Sequence, residues 1–116
     1  MDLARGTDGA GYMGQLRATL PGVLARHQPD LVLYDAGVDV WEGDALGHLE
    51  LSHADIYQRD LYVIETCVQA GVPIACVIGG GYDRDRVSLA RRHALVHRAA
   101  ARTWDRHRMA AAVTSR

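Results

Sequence analysis

The chain alternates between short, nearly continuous apolar runs and longer stretches in which apolar residues recur at helical spacing. Two runs, at residues 31–34 and 72–78, follow turn signals and lack polar alternation, which is typical of strands covered on both faces in a parallel sheet. Helical spacing covers residues 12–27, 52–70 and about 83–102. The order of elements predicts a βαβ unit with flanking helices, parallel strands and a right-handed crossover.

Signals at the helix ends support these boundaries. Pro21 should kink the first helix or start its second half, because proline disrupts a helix interior. Ser52 is a suitable N-cap for the second helix, with Asp55 in the first turn. Gly71 is the residue expected just beyond its C-terminus. The second helix is therefore the best defined element of the sequence.

The two ends of the chain carry weaker patterns. Residues 1–10 are glycine-rich and are expected to form a loop, and residues 103–116 are expected to form a tail that frays. The third helix should bury an apolar stripe. Its members are Val87, Leu89, Ala90, Ala94, Leu95 and Val96.

Two loops follow the predicted strands. Residues 35–51 form a loop of a length that is uncommon unless it has a function. It contains an acidic cluster: Asp35, Asp39, Glu42 and Asp44. By composition alone these residues either bind a metal or cap turns. Three glycines and Tyr82 follow the second strand, without the Lys and Ser/Thr of a phosphate-binding P-loop. Because sites form at the carboxyl ends of parallel strands, both loops should converge on one side of the sheet.

Composition limits the classes of function. A chain of 116 residues, 48% apolar, fits one folded domain. A net charge of −1 argues against a general nucleic-acid or anionic-membrane binder. With no apolar stretch long enough for a signal peptide or a membrane span, and with Cys67 and Cys76 expected as buried free thiols, a cytoplasmic location is expected.

Every basic residue is arginine, which indicates the composition bias of a GC-rich bacterial genome. Eight arginines follow Tyr82, and we interpret them as a solvated helix face in preference to an anion-binding patch. They are Arg84, Arg86, Arg91, Arg92, Arg98, Arg102, Arg106 and Arg108.

Two segments, in this order, resemble the histone deacetylase superfamily, and most closely its bacterial members similar to class IV enzymes. They are PDLVLYDAGVDVWEGDALGHLELS and, after a predicted helix, VPIACVIGGGYDRD. The flanking sequences also fit, so the resemblance covers about residues 7–101. It implies that residues 1–116 form a single partial domain. The expected fold is an α/β fragment of the arginase/deacetylase-type three-layer architecture, with two strands of a parallel sheet and three main helices.

The resemblance also implies roles for individual residues. In the GxD pattern Asp39 would be a zinc ligand, and in the GGGY pattern Tyr82 would stabilise the oxyanion of an N-acyl amide substrate. Gly80 and Gly81 would line the acyl channel, where a side chain would block the substrate. The EGDxLG loop is implied to be mostly structural, through Glu42, Asp44 and Gly47. Asp35 departs from the Gln or Asn of the family pattern and adds a negative charge near the zinc loop.

Part of the family's active site has no match in this sequence. The family takes two more zinc ligands from a D-x-H motif and a general base from a His-His pair, both upstream of the segments matched here, and this sequence contains neither motif before Asp39. We do not favour His48 or His53 as replacement ligands. His93 and His97 have a spacing that can bind metal, but we expect surface or packing roles. The isolated chain should be inactive.

Three functions therefore stay open. The first is the C-terminal part of a zinc-dependent deacetylase, with acetyl-lysine proteins, acetylpolyamines or longer acyl-lysines as substrates. The second is one half of a split deacetylase completed by an N-terminal fragment. The third is a non-enzymatic α/β binding module. Because two strands would leave an uncovered apolar face, we expect marginal stability, aggregation, self-association or binding of a complementing fragment.

Overall fold

The computed structural model describes the backbone of residues 2–114 and the side chains of residues 2–107. Five elements follow one another along the chain: α1 (Gly9–His27), β1 (Val32–Gly37), α2 (His53–Gln69), β2 (Ile74–Gly79) and α3 (Arg86–Thr114). The strands pair in parallel, with Val32 beside Ile74 and Gly37 beside Gly79. This is the predicted α/β arrangement of two parallel strands and three helices.

The sheet has one covered and one open face. On the covered face, Ala36 of β1 packs with Ile64 of α2 and Val96 of α3 in a buried cluster. On the other face, Leu33 is 78% exposed and Val77 is 57% exposed. Within the described residues, the prediction that both strands are covered on both faces is wrong. The uncovered apolar face expected for two strands is present.

Helix α2 has the ends that the sequence predicted. The Ser52 hydroxyl accepts a hydrogen bond from the backbone N–H of Asp55 at 3.1 Å, and the Asp55 carboxylate accepts one from the backbone N–H of Ser52 at 2.9 Å. These reciprocal bonds form a capping box that satisfies two otherwise unpaired donors. Beyond the C-terminus, Gly71 has φ +73°, a left-handed conformation that favours glycine.

Helix α1 begins earlier than predicted. Asp8 is its N-cap and accepts a hydrogen bond from the backbone N–H of Gly11 at 2.9 Å, so the loop expected over residues 1–10 ends before Gly9. The helix passes through Pro21 and ends at His27, so Pro21 does not start a separate helix. The chain around Pro21 is exposed, where solvent can satisfy the carbonyl that a proline leaves unpaired.

Helix α3 is longer than predicted, and of its predicted apolar stripe only Leu95 and Val96 are fully buried. Thr103 is 2% exposed, and its hydroxyl donates to the carbonyl of Ala99 at 2.9 Å, so the predicted frayed tail is wrong at this position. Val87 is 62% exposed and Ala90 is also exposed, against prediction. Among the side chains of the helix that the structure describes, the buried ones are Arg92, Leu95, Val96, Ala99 and Thr103. This spacing defines one helical face that packs on α2 and the sheet.

The remaining predictions from composition concern the two cysteines, the arginines after Tyr82 and membrane-spanning segments. Cys67 is buried, Cys76 is half-buried, and both are free thiols. Six of the eight arginines after Tyr82 are exposed, whereas Arg92 is buried. The side chain of Arg108 lies outside the described residues. None of the described helices is both long enough and apolar enough to span a bilayer.

Candidate active site

The loops that follow the two strands meet at the carboxyl end of the sheet, as predicted. We define the Asp39 loop as residues 38–51 and the Tyr82 loop as residues 80–85. The backbone N–H of Val38 donates a hydrogen bond to the carbonyl of Gly79 at 3.1 Å. A Cβ on Gly80 would lie 3.4 Å from the carboxyl carbon of Asp39. The two segments singled out by the sequence are therefore in van der Waals contact.

Glycine is required at two positions of the Tyr82 loop. Gly80 and Gly81 have φ +60° and +70°, which residues with a Cβ rarely adopt. A Cβ on Gly81 would also lie 2.4 Å from Cγ2 of Val38, closer than such atoms can approach. Close contact with the Asp39 loop therefore explains these glycines without reference to a substrate. Their role in lining an acyl channel stays a prediction.

Asp39 presents an exposed carboxylate beside a second one. The Oδ1 atoms of Asp39 and Asp35 lie 3.2 and 3.7 Å from the position of a Cβ on Gly37. Asp35 belongs to the open face of β1, and its Oδ1 lies 2.9 Å from the Cβ position on Gly79. The additional negative charge of Asp35 is thus at the same end of the sheet as Asp39.

The Asp39 loop is shaped by a carboxylate and a glycine. Oδ2 of Asp44 accepts hydrogen bonds from the backbone N–H groups of Leu46 at 3.0 Å and Gly47 at 2.7 Å. A Cβ on Gly47 would lie 2.1 Å from the carbonyl oxygen of Asp39. The side chain of Glu42 is exposed, while its backbone N–H bonds to Leu51 at 2.9 Å. Asp44 and Gly47 therefore determine the backbone conformation of the loop that carries Asp39.

Tyr82 projects from the opposite loop. Its side chain is 87% exposed, and no hydrogen bond to another described residue holds its hydroxyl. The neighbouring Asp83 is fixed, because its carboxylate forms an ion pair with Arg92 at 2.7 Å. That hydrogen bond from Arg92 is the main reason that the pKa of Asp83 lies below its ordinary value. Tyr82 thus has an anchored backbone and a free phenol.

The histidines do not complete a metal site. His48 and His97 are exposed, and the ring of His53 lies 5.6 Å from that of Trp41. Nδ1 of His93 is buried without a hydrogen-bond partner among the described residues. No group of three His, Cys, Asp or Glu residues in this part of the chain could hold a metal ion. The described residues by themselves therefore do not provide the three protein ligands that a catalytic zinc needs.

Arg92 is a buried residue of the site, although we interpreted it from the sequence as part of a solvated helix face. It is 1% exposed, and its guanidinium carbon lies 3.9 Å from the ring centroid of Trp41. Since Trp41 belongs to the Asp39 loop and Asp83 to the Tyr82 loop, Arg92 contacts both. Its spacing from Leu95 and Val96 on one helical face was the signal that could have separated it from the solvated arginines.

A second cluster of buried charged residues contacts the C-terminal end of β1. The Arg59 guanidinium donates to the carbonyl of Gly37 at 2.8 Å and lies 2.9 Å from Oδ1 of Asp60. The hydroxyl of Tyr34 donates to the same Asp60 oxygen at 2.5 Å. Burial raises the pKa of both Tyr34 and Asp60. The cluster fixes the end of the strand two residues before Asp39.

Comparison with known proteins establishes the family. The family model of the histone deacetylase domain matches residues 1–98. The chain is 47% identical over 100 residues to an uncharacterized protein of Picosynechococcus sp., covering 86% of this chain and 33% of that protein. It is 33% identical over 82 residues to histone deacetylase 2 of Arabidopsis thaliana, covering 71% of this chain and 21% of that protein. The chain belongs to the histone deacetylase family.

A solved structure shows the fold. The acetylpolyamine aminohydrolase from Burkholderia pseudomallei matches with a TM-score of 0.69 at 20% identity, over 86% of this chain and 27% of that one. The shared architecture is the arginase/deacetylase fold, as the sequence predicted. The chain spans a third or less of the length of all three relatives.

Proposed function

We propose that this chain is the C-terminal part of a zinc-dependent deacetylase that acts on acetyl-lysine or related N-acyl amides. The observation that carries the proposal is the contact between the two loops, in which Gly80 abuts the carboxylate of Asp39. Two residue types suited to amide hydrolysis, an exposed carboxylate and an exposed phenol, lie on loops that converge at the end of a parallel sheet.

Within this proposal, each residue has one role. Asp39 supplies one carboxylate ligand to a metal whose other ligands come from outside this chain. The phenol of Tyr82, a neutral donor, hydrogen-bonds to the carbonyl oxygen of the amide as negative charge develops there. Gly80 and Gly81 form a wall of the acyl channel. Family membership and the names of the relatives, a histone deacetylase and an acetylpolyamine aminohydrolase, support amides of this class.

The proposal includes inactivity of the isolated chain. Asp39 is a single ligand, and the described residues form no cluster of three potential ligands around it. Activity would then require residues that provide the D-x-H and His-His motifs.

A split enzyme is a second candidate, favoured by the open sheet face. Leu33 and Val77 expose apolar side chains on neighbouring strands of that face. A contiguous exposed apolar surface is commonly a binding surface. In a split deacetylase, a separate chain would cover these residues and complete the metal site.

Complementation tests the proposal. The chain would be mixed with the N-terminal remainder of the Picosynechococcus relative, and hydrolysis of an acetyl-lysine peptide and of an N-acetylated polyamine would be measured with and without Zn²⁺. Zinc-dependent hydrolysis is expected. Asp39→Asn and Tyr82→Phe should each abolish it, whereas the matched controls Asp30→Asn and Tyr62→Phe should not. A stable complex of the two polypeptides that hydrolyses neither substrate would contradict the proposal.

A further inference from the structure

We infer that Arg92 is a positioning residue that locks the Tyr82 loop against the Asp39 loop. Its Nη2 atom lies 2.7 Å from Oδ2 of Asp83, and its guanidinium covers the ring of Trp41 at 3.9 Å. Asp83 directly follows Tyr82, and Trp41 lies two residues beyond Asp39. One side chain of α3 therefore contacts both loops next to the two residues to which we assign chemistry.

Because Arg92 is buried, the arginine holds the two loops and the two loops in turn stabilise its charge. A guanidinium that is 1% exposed has lost its hydration, which is costly unless other groups stabilise the charge. Its Nε and Nη1 atoms have no hydrogen-bond partner among the described residues. Stabilisation comes from the Asp83 carboxylate and the face of Trp41, a charge-assisted hydrogen bond and a cation–π contact. Both partners are on the loops, so the charge is stabilised only when both loops are docked.

The contact between the loops depends on this docking. Beside Arg92, the loops meet where Gly80 and Gly81 lie against Asp39 and Val38, and the backbone N–H of Val38 bonds to the carbonyl of Gly79 just before the Tyr82 loop. Glycines leave the Tyr82 loop free to adopt many conformations when unfolded, so an additional anchor is needed to hold one of them. Arg92 supplies that anchor from a helix, which is a rigid support.

The shape of the arginine side chain suits two partners at once. Its planar fork can direct Nη2 to a carboxylate while its face lies on an indole. A lysine at this position would keep the charge but would reach only one partner at a time. Arg92→Lys should therefore restore part of what Arg92→Met loses.

Hydrogen exchange of the full chain, followed by NMR, tests the inference. The reporters are the amides of Val38 and Trp41, and the reference is the amide of Ile64 in the core. In Arg92→Met, exchange of both reporters should accelerate by about tenfold or more relative to Ile64, because local opening becomes easier than global unfolding. Arg92→Lys should be intermediate. The exposed neighbour Arg91 gives the matched control Arg91→Met, with wild-type rates expected.

A surface variant keeps the test decisive if Arg92→Met does not fold. Asp83→Asn removes the charge but keeps the oxygen that accepts from the Asp85 N–H, and it should also accelerate the two reporters selectively. Reporter rates that stay at the wild-type value, or change only in proportion to Ile64, in Asp83→Asn and Arg92→Lys would overturn the inference.

The role of this lock in catalysis rests on the proposed function. The kinetics of the complemented enzyme distinguish a failure of the lock from a failure of the proposed function. In the complemented enzyme, Asp83→Asn should lower kcat more than it raises KM, since the substrate still binds but Tyr82 is misplaced. Selective exchange without any activity in the complemented enzyme would support the lock and contradict the proposed function. Activity of the complemented enzyme, together with unchanged exchange rates in these variants, would support the proposed function and contradict the lock.

Discussion

The carboxyl carbon of Asp39 lies 3.4 Å from the position that a Cβ on Gly80 would occupy. These residues belong to loops separated in sequence by the whole of α2 and β2. Their contact shows that the position of Asp39 depends on the backbone of the Tyr82 loop as well as on its own. Substitutions at glycines around this contact should therefore disturb the site strongly.

Gly47→Ala should destabilise the chain by about 1–3 kcal/mol, because the new methyl group overlaps the carbonyl oxygen of Asp39 and the backbone must move. Urea denaturation measures the change in the free energy of unfolding. Gly14→Ala is the matched control, since nothing lies within 4 Å of its Cβ position in α1. It should be neutral or stabilise by up to about 1 kcal/mol. Equal effects of the two substitutions would contradict the prediction.

Tyr34→Phe should destabilise the chain by about 1–3 kcal/mol, because the buried Asp60 loses a hydrogen bond. Tyr62→Phe, at a half-buried ring near Arg17 of α1 whose hydroxyl has no hydrogen-bond partner among the described residues, should change the free energy of unfolding by less than about 0.5 kcal/mol. Chemical denaturation of both variants under the same conditions provides the comparison. If Tyr34→Phe lowers the free energy of unfolding no more than Tyr62→Phe does, the hydroxyl of Tyr34 does not contribute to stability.

Stability should fall in acid as the start of α3 loses its ionised carboxylates. Hydrogen bonds from Arg92 to Asp83 and from the backbone N–H of Ser88 to Asp85 hold the pKa of each carboxyl below its ordinary value of 3.8. Between the lowered and the ordinary pKa the unfolded chain binds more protons than the folded chain. Their contribution is therefore complete at about pH 5 and above, and it is lost as the pH falls through 3.8 and the lower folded pKa values.

An NMR titration of the side-chain carboxyl carbons measures both pKa values. Asp85→Asn, which retains a good N-cap side chain, should keep the helix start and weaken the acid dependence. Titration of Asp83 and Asp85 at or above 3.8 would contradict the prediction.

The open sheet face should cause concentration-dependent association of the isolated chain. The double substitution Leu33→Gln and Val77→Thr, on paired strands of that face, should shift sedimentation velocity profiles towards the monomer. Leu46→Gln is the control, because Leu46 is 82% exposed but lies on the Asp39 loop. A wild-type chain that remains monomeric at all concentrations would rule out this role for the face.

Local signals made parts of the fold predictable. The ends of α2 were identified from Ser52, Asp55 and Gly71, because a capping box and a left-handed glycine depend on neighbouring residues alone. The parallel strands followed from their uninterrupted apolar runs. Burial of the strands on a second face was predicted wrongly, because a run of apolar residues does not reveal whether any element of the same chain covers it.

Tertiary context decided the features that sequence patterns missed. The burial of Arg92 and of the pair Arg59 and Asp60 depends in part on residues distant in sequence, Trp41 for Arg92 and Tyr34 for Asp60. Thr103 belongs to a helix that the pattern ended too early, because its hydroxyl is satisfied by Ala99 within the helix. At the site, composition left the acidic loop ambiguous, and the roles of Asp39 and Tyr82 came from the family resemblance. Those roles await the complementation experiment.

The parallel pairing of Val32 with Ile74 has a consequence for the order of folding. The strands can meet only after α2 has folded back along the sheet, so closing this long crossover carries a large entropic cost and should be slow. Asp39 precedes the crossover and Tyr82 follows it, so the two residues are brought together in that same late step. Folding intermediates that already contain a capped α2 would still have the two halves of the site apart.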